Sequence, residues 1–506
     1  MTTSYQLGYY RKKKEEWLNG LKVKANSYRK YLGHICLDAK TYLTNNGDIE
    51  KYPDYGANFS KSLRHNKAGY VNPDDYRKLL AFTRGKIGQL NKICLGGEKK
   101  LKNPSSIYTI SAFGLPKESY WLPACPSISS SVTAGEMIEL YAMALARDIP
   151  FTCWSESSTI RSIVKYLNHV EDFWGPKENG SVTVKTLFRG ETPSDLKGPF
   201  VSQFLYYDVP LGNQNQDNKV FSYLPDHDYL TKMEECRRVQ NGYLPPSPQR
   251  QKHKRYITTM RDAASYIHSD YPGQAALMAA QILLGLGVPI KPQYHCNEDY
   301  FIDLGQVDII DLIHRSVRLA LASAWHHKWN QLKLRPEVVG MYIDEAKKDG
   351  CNPYCLSDQI LDSPILEKVY QKWGTYLLPQ CYSEGAPTHP SYPSGHATWA
   401  GAAVTILRAF FEGDFEIDAY QPNSDGTELV SLGYKVKVKD ELTKLETFIG
   451  NARNMAGIHY RSDMLGIYLG EAVGIQVLEE AVKRYAYRVK FEFEARNGKT
   501  VVIKNY

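Results

Sequence analysis

The second half of the chain carries apolar residues at helical spacing over long stretches, and this pattern constrains the fold more than any other sequence feature. One series has spacings of three, four, four and three residues: Ile310, Ile313, Val317, Leu321 and Ala324. A second series follows Pro393-Ser394-Gly395 and consists of His396, Ala400, Val404, Leu407 and Phe411. Because side chains three or four residues apart share one face of an α-helix, each series predicts a helix with a buried face.

A third long helix is predicted over residues 455–485. It would place His459 and Asp463 four residues apart on one face, followed by Gly466, Gly470 and Gly474. Glycine has no Cβ, so this spacing would let another helix approach closely. The three helices together predict a mainly α-helical fold.

Short β segments are expected beside these helices. Residues 429–438 alternate apolar and polar side chains, and residues 489–494 and 499–503 flank Asn497-Gly498, a pair typical of a tight hairpin turn. Residues 244–255 are rich in Pro and basic side chains, which favours a surface connection.

These patterns predict three parts. Residues 1–240 would form a helical and irregular region that packs on the core, with its clearest helix over residues 134–146. Residues 256–486 would form the catalytic helical core, and residues 487–506 a C-terminal β-hairpin.

Three short motifs place cations and histidines at helix ends or on helix faces. They are Lys328-x6-Arg335-Pro336, Pro393-Ser394-Gly395-His396 and Arg453-x5-His459-x3-Asp463. The two guanidinium groups and the ammonium group can neutralise a tetrahedral oxyanion, because a guanidinium donates two parallel hydrogen bonds and an ammonium acts as a point charge. The Ser-Gly turn offers backbone N–H donors at a helix N-terminus. Two imidazoles remain, one for a bond to the central atom and one for proton transfer.

The spacing of the first motif predicts where Arg335 lies relative to Lys328. Arg335 would lie about two turns after Lys328 if the helix persists, and Pro336 disfavours helix at Arg335 itself. Both cations are therefore expected to face one cavity. Each motif alone also fits an ordinary role, since Lys328 and Arg335 could be ion-pair residues and His396 and His459 core histidines. All three motifs in one chain favour an enzyme with an anion pocket.

Charge and composition argue against several other classes of protein. The chain has 506 residues with 62 Lys or Arg and 55 Asp or Glu, so its net charge of +7 is small and scattered, and no nucleic-acid partner is expected. Its longest apolar stretch, residues 276–290, is too short to span a bilayer, so no membrane span is predicted. Charged side chains interrupt the first thirty residues, which predicts a cytoplasmic protein without a secretory segment.

The motifs resemble those of the vanadium-dependent haloperoxidases, in particular the algal and cyanobacterial bromoperoxidase branch. The resemblance is densest over residues 321–475, in Lys328-Trp-Asn-Gln-Leu-Lys-Leu-Arg-Pro-Glu337 and His389-Pro-Ser-Tyr-Pro-Ser-Gly-His-Ala397. It implies four-helix bundles framing the pocket, with small β-hairpins as decorations. It also implies a vanadate cofactor, with no haem or flavin, and a homo-oligomer of two or more chains.

The activity implied by the resemblance is the oxidation of bromide and iodide, with chloride as a further halide, by hydrogen peroxide. The product would be hypohalous acid, which halogenates small organic substrates. A more distant resemblance connects the same motifs to acid phosphatases and phosphatidic-acid phosphatases, which share the oxyanion pocket.

The resemblance further implies roles for individual residues. Those that would hold the vanadate oxygens are Lys328, Arg335, Ser394, Gly395 and Arg453. His459 would be the axial vanadium ligand, His396 would assist proton transfer, and Lys328 would polarise an oxygen of the bound peroxide. His389 and Trp325 match positions on the halide side, and the His389 position is phenylalanine in fungal chloride-oxidising members. From its position four residues after His459, Asp463 could orient a ring or pair with a nearby cation.

Two other functions stay open at this point. In a phosphatase, His459 would attack phosphorus and His396 would protonate the leaving group, because phosphate and vanadate have similar shape and charge. Ala452, where phosphatase patterns often carry Ser, and His389 both favour the haloperoxidase. A protein that only binds an oxyanion would need Arg, Lys and backbone donors but not two histidines.

Overall fold

The computed structural model describes residues 16, 19–20, 45–108, 121–292 and 297–506. The charged segment behind the cytoplasmic prediction lies almost entirely outside these residues. The first α-helices with defined bounds are α1 (Asp48–Lys51), α2 (Pro73–Thr83), α3 (Ser131–Ala146), α4 (Ser158–Leu167) and α5 (Met233–Gln240). The later ones are α6 (Met260–Ser269), α7 (Gln274–Gly285), α8 (Gln306–Gln331), α9 (Pro336–Asp349), α10 (Asp358–Leu361), α11 (Pro364–Trp373), α12 (Gly395–Phe410), α13 (Val438–Met455) and α14 (Gly466–Val482).

Helix α12 lies at the centre of the helical core and packs against α8, α13 and α14. Apart from His396, every residue of α12 is buried. A helix that is apolar on all sides is stable only when other elements surround it, which explains its central place. The apolar series predicted over residues 310–324 and 396–411 therefore belong to two helices in contact, with Phe411 just beyond the end of α12.

Close contact between α12 and α14 depends on glycine. A Cβ on Gly470 would lie 2.0 Å from the carbonyl oxygen of Thr398, and one on Gly474 would lie 2.8 Å from that of Ala402. Neither position has room for a side chain, so the backbones of the two helices touch. This is the close approach that the glycine spacing predicted.

The predicted continuous helix over residues 455–485 is wrong. Helix α13 ends at Met455, residues 456–460 are irregular, and a 3₁₀ turn over Arg461–Leu465 precedes α14. Gly457 has a φ of 89°, the left-handed conformation that commonly ends a helix at a glycine. His459 therefore lies in a loop between two helices, although the hydrophobic pattern continues through it.

Helix α8 also does not persist to Arg335. It ends at Gln331, Leu332 adopts a left-handed conformation with a φ of 52°, and Arg335 precedes α9 with Pro336 in its first turn. Proline fits the first turn of a helix because no intrahelical bond needs its missing N–H. The short turn between α8 and α9, rather than one helix, brings Arg335 back toward Lys328.

The β structure of the described residues consists of antiparallel pairs. They are β1 (Val209–Leu211) with β2 (Gln214–Gln216), β3 (Glu416–Pro422) with β4 (Leu429–Lys437), and β5 (Lys490–Glu494) with β6 (Thr500–Lys504). The last pair forms the predicted hairpin around Asn497-Gly498.

The division into residues 1–240, 256–486 and 487–506 stays a prediction. One cluster of buried side chains draws on all three parts, from Tyr141 through Leu312 and Phe410 to Phe491. Within the described ranges, no helix combines the length and the apolar character needed to cross a bilayer.

Candidate active site

The predicted site residues converge on one cavity of about 390 Å³ beside the N-terminus of α12. Those that line it are Trp325, His389, Gly395, His396, Arg453 and His459. They come from α8, the loop before α12, α12 itself, α13 and the loop after α13. The interrupted third helix therefore still brings His459 to the same place as His396.

Lys328, Arg335 and Ser394 are buried in the wall behind this cavity. The Lys328 ammonium donates to the carbonyl oxygens of Pro390, at 3.0 Å, and Ser391, at 2.6 Å. Ser394 is the N-cap of α12, and its hydroxyl accepts the N–H of Ala397. The Ser-Gly turn thus starts α12, and Gly395 at its first position lines the cavity.

Arg335 connects three parts of the wall. Its Nε donates to the carbonyl of His389 at 2.9 Å, and its Nη1 donates to the carbonyl of Ile458 at 2.8 Å. The same Nη1 lies 3.0 Å from Nε2 of His459. Because a guanidinium can only donate, Nε2 of His459 accepts this bond and carries a lone pair.

The other ring nitrogen of His459 is held by Asp463. Nδ1 lies 2.6 Å from Oδ2 of Asp463, and Ser391 donates its hydroxyl to the same carboxylate oxygen. Burial and the Arg335 cation hold the pKa of His459 well below its usual range, against the opposing effect of Asp463. The imidazole is therefore neutral, with its proton on Nδ1 and its lone pair on Nε2.

Asp463 is ionised in spite of its burial. Burial alone would raise its pKa, but the Lys333 cation and the hydrogen bond from His459 lower it below the ordinary value. Nζ of Lys333 lies 3.5 Å from Oδ1 of Asp463. The charge of Asp463 is thus partly balanced by Lys333, which lies outside the cavity lining.

Lys328, Arg335 and Arg453 form no ion pair with a carboxylate among the described residues. Burial and the neighbouring Arg335 lower the pKa of Lys328 well below its usual range, and burial lowers that of Arg335 to about 10. Nε of Arg453 is buried, with no hydrogen-bond acceptor in the described part of the chain. Uncompensated buried cations are costly, and an anion in the cavity would offset that cost. This donor set therefore fits a tetrahedral oxyanion such as vanadate.

His396 pairs with a residue that the sequence motifs do not contain. Its Nε2 lies 3.1 Å from Oδ1 of Asp270, which directly follows α6. Burial lowers the pKa of His396, while Asp270 opposes that shift. No local pattern marks Asp270, because it lies 126 residues before His396 in the chain.

His389 and Trp325 lie side by side, with ring centroids 4.7 Å apart. Nδ1 of His389 accepts a hydrogen bond from Nη2 of Arg335 at 3.0 Å, and Nε1 of Trp325 donates to the carbonyl of Lys102 at 3.0 Å. The N-terminal part of the chain, where the sequence showed no chemistry, therefore also borders the site through Lys102 and Asn103.

Comparison with known proteins finds relatives over most of the chain. Residues 316–486 match the family described as "VCPO second helical-bundle domain". A vanadium-dependent bromoperoxidase from Corallina officinalis is 30% identical over 560 residues, covering 90% of this chain and 92% of that protein.

The chain belongs to the vanadium-dependent bromoperoxidase family. A second member, from Corallina pilulifera, is 30% identical over 89% of this chain and 91% of its own length. A third, from Ascophyllum nodosum, is 29% identical over 90% of this chain and 87% of its own length. The family named from the motifs is confirmed, and it places the chain among the haloperoxidases, which are oxidoreductases.

The solved structure of the second vanadate-dependent bromoperoxidase of Ascophyllum nodosum has the same fold. It superposes with a TM-score of 0.87 at 24% identity, covering 95% of this chain and 90% of that one. That protein is described as a homohexamer. The mainly α-helical fold predicted from the sequence is therefore confirmed for this bromoperoxidase family member.

Proposed function

We propose that this protein is a vanadate-dependent haloperoxidase that oxidises bromide and iodide, and chloride as a further halide, with hydrogen peroxide. Its product is hypohalous acid, which halogenates organic compounds. One observation carries the proposal: buried cations without a salt-bridge partner among the described residues lie near His459. Asp463 holds Nδ1 of His459, so that the Nε2 lone pair faces Arg335. Family membership supports the same activity.

The residues that the motifs contain would hold the cofactor. Lys328, Arg335, Ser394, Gly395 and Arg453 would hold the vanadate oxygens, and Nε2 of His459 would be the ligand to vanadium. Nε2 has the lone pair that such a ligand needs, and this lone pair accepts the hydrogen bond from Nη1 of Arg335 at 3.0 Å. When bound, vanadate supplies a Lewis-acidic centre that activates hydrogen peroxide without a change in oxidation state.

His396 accepts a proton in the proposed reaction, and Lys328 supplies positive charge. The Nε2 proton of His396 is directed at Asp270, so Nδ1 is the atom that accepts a proton from hydrogen peroxide. Asp270 stabilises the imidazolium that results. An anion beside Lys328 would favour its charged form, and its ammonium group would then polarise an oxygen held there. His389 and Trp325 border the position of the halide.

The test uses the purified protein in phosphate-free buffer, with and without vanadate. We expect peroxide-dependent iodide and bromide oxidation only in the vanadate-loaded sample. Phosphate release from a monoester, with no halide oxidation, would instead assign the same residues to a phosphatase in which His459 is the nucleophile.

One substitution tests the role of His459 as the vanadium ligand. His459→Ala should stay folded by circular dichroism but lose both vanadate retention on gel filtration and halide oxidation. A folded His459→Ala protein with full vanadate retention and activity would overturn the ligand assignment.

We also propose that the chain forms a homo-oligomer. The homohexameric description of the Ascophyllum nodosum structure supports this. Light scattering after gel filtration measures the mass directly, and a mass of 57.5 kDa, that of one chain, would contradict the proposal.

A further inference from the structure

The cavity extends well beyond the space that an oxyanion and a halide need. Its volume of about 390 Å³ lies in the range of pockets that hold organic ligands, roughly 300–1,000 Å³. Besides the residues of the anion site, the cavity is lined by Leu321, Ala322 and Trp325 from α8, and by Pro272 and Trp399, and the space beside these side chains is called the outer cavity here. This outer cavity is therefore apolar and partly aromatic.

Helix α8 runs along the cavity from a buried cation to an exposed one. Lys328 at the inner end is fully buried, whereas Arg318 lines the cavity and is exposed. Arg318 and Trp325 are seven residues apart, so they share one face about 10 Å apart along the helix axis. Arg318 thus lies about 15 Å along that axis from Lys328, at the solvent end.

The charge at the solvent end is positive. The described residues that line the cavity include Lys102 and Arg318 but no carboxylate. Arg318 forms no ion pair with any residue in the described ranges. A ligand with a negatively charged end would therefore meet only cations there.

The apolar wall also contains an unsatisfied donor. Nε1 of Trp399 is buried and has no hydrogen-bond acceptor among the described residues. Trp399 lies next to His396, with ring centroids 5.9 Å apart. A ligand in the cavity would therefore contact the carbon atoms of the Trp399 ring, because the buried N–H is out of its reach.

We propose that the outer cavity binds the organic substrate itself, as a phenol that carries a carboxylate tail, and that Arg318 binds the carboxylate. The ring packs against Trp325 and Trp399, which both line the cavity. Arg318 is then a specificity-determining residue, because it selects anionic phenols over neutral ones.

The proposal rests on the proposed function, which supplies hypobromous acid at the inner end of the cavity. Bromine bonds to the ring carbon beside the hydroxyl group while the O–Br bond breaks. The departing hydroxide takes up the proton lost from that carbon, so the products are the bromophenol and water. Halogenation therefore takes place before hypobromous acid can leave the protein.

The first test is a competition between 3-(4-hydroxyphenyl)propanoate and its methyl ester, whose rings have nearly the same intrinsic reactivity. Both are present with bromide, peroxide and vanadate-loaded protein, and the ratio of brominated acid to brominated ester is measured. Hypobromous acid added without protein gives the reference ratio. We expect the enzyme to exceed the reference at least fivefold.

The variants assign the preference to one side chain. Arg318→Gln should return the ratio to within twofold of the reference, and Arg318→Lys should retain part of the preference. Arg315→Gln is the matched control, because Arg315 is on the same helix, pairs with Asp311 at 2.6 Å and does not line the cavity. Its ratio should equal that of the unchanged protein.

A second measurement does not depend on turnover. Calorimetric titration of the vanadate-loaded protein, without peroxide or halide, should show the acid binding at least fivefold more tightly than the ester. Arg318→Gln should remove that difference. Equal affinities, or a product ratio equal to the reference in a protein that oxidises iodide, would overturn the substrate proposal. Failure to oxidise iodide would contradict the proposed function, and the titration would still decide whether Arg318 binds the carboxylate.

Discussion

Nε2 of His396, in the first turn of α12, lies 3.1 Å from Oδ1 of Asp270, which directly follows α6. The other carboxylate oxygen of Asp270 is buried, with no hydrogen-bond donor in the described part of the chain. Asp270 therefore has His396 as its main described partner. Its charge fixes which nitrogen of His396 carries the proton and which can accept one.

Asp270→Asn should lower the turnover number for bromide about tenfold, in the range seen when the partner of an active-site histidine is lost. Because Asp270 opposes the lowering of the His396 pKa, its loss should lower that pKa further. Neutral His396 would then persist to lower pH, so the acidic limb of the pH–rate profile should shift to lower pH. Asp311→Asn, an exposed change on α8, is the control. An unshifted profile would assign Asp270 a structural role only.

Asp463→Asn should weaken vanadate binding by about 10- to 100-fold, as for other residues that orient a metal-binding histidine. The neutral amide cannot hold the Nδ1 proton of His459 as strongly as the carboxylate does at 2.6 Å. Activity measured against vanadate concentration gives the affinity, and circular dichroism checks the fold. An affinity within twofold of the unchanged protein would count against this role.

His389→Phe should raise the ratio of chloride to bromide oxidation. The change removes the acceptor for Nη2 of Arg335 at 3.0 Å and places a carbon ring beside Trp325. One hydrogen bond is worth roughly 1 kcal/mol, so a change of about fivefold in the ratio of kcat/KM values is expected. Steady-state kinetics with both halides measures it, and an unchanged ratio would remove His389 from the halide side.

His65 should make the fold sensitive to mild acid. Its Nδ1 donates to the Leu63 carbonyl at 2.8 Å, and its Nε2 accepts from the Ser60 hydroxyl at 3.0 Å. Burial lowers the pKa of His65 to about 4, against 6.5 for an ordinary histidine. The unfolded chain therefore takes up the proton first, and the stabilisation present above pH 6.5 is lost as the pH falls toward 4.

Between pH 7 and pH 5 this single group should cost on the order of 1 kcal/mol of unfolding free energy. The melting temperature of His65→Gln should accordingly fall less than that of the unchanged protein over this interval. His169→Gln serves as the control, because His169 is exposed. Equal falls in all three proteins would show that His65 does not carry the effect.

The fold was predictable where one local pattern decides the structure. The apolar series of α8 and α12 and the Asn497-Gly498 turn each depend on neighbouring residues, and each is found where expected. The break at Gly457 was missed because apolar residues continue at helical spacing on both sides, so only the glycine itself signals the helix end.

The part of the candidate site that consists of short sequence motifs was predictable. Cations and histidines at fixed spacing predicted residues that line or lie behind one cavity. Asp270 and Lys102 come from parts of the chain with no such pattern, and only the packing of distant segments brings them to the cavity. Long-range contacts of this kind have no local sequence period to reveal them.

The buried cations make the heat stability of the protein depend on the oxyanions in its surroundings. An anion that binds only the folded chain adds about 2.7 kcal/mol to the unfolding free energy at a concentration 100 times its Kd. Phosphate has the shape and charge to bind there as well, so it would protect the fold while blocking the cofactor. A preparation purified in phosphate would then be the most heat-resistant form of this protein and the least active one.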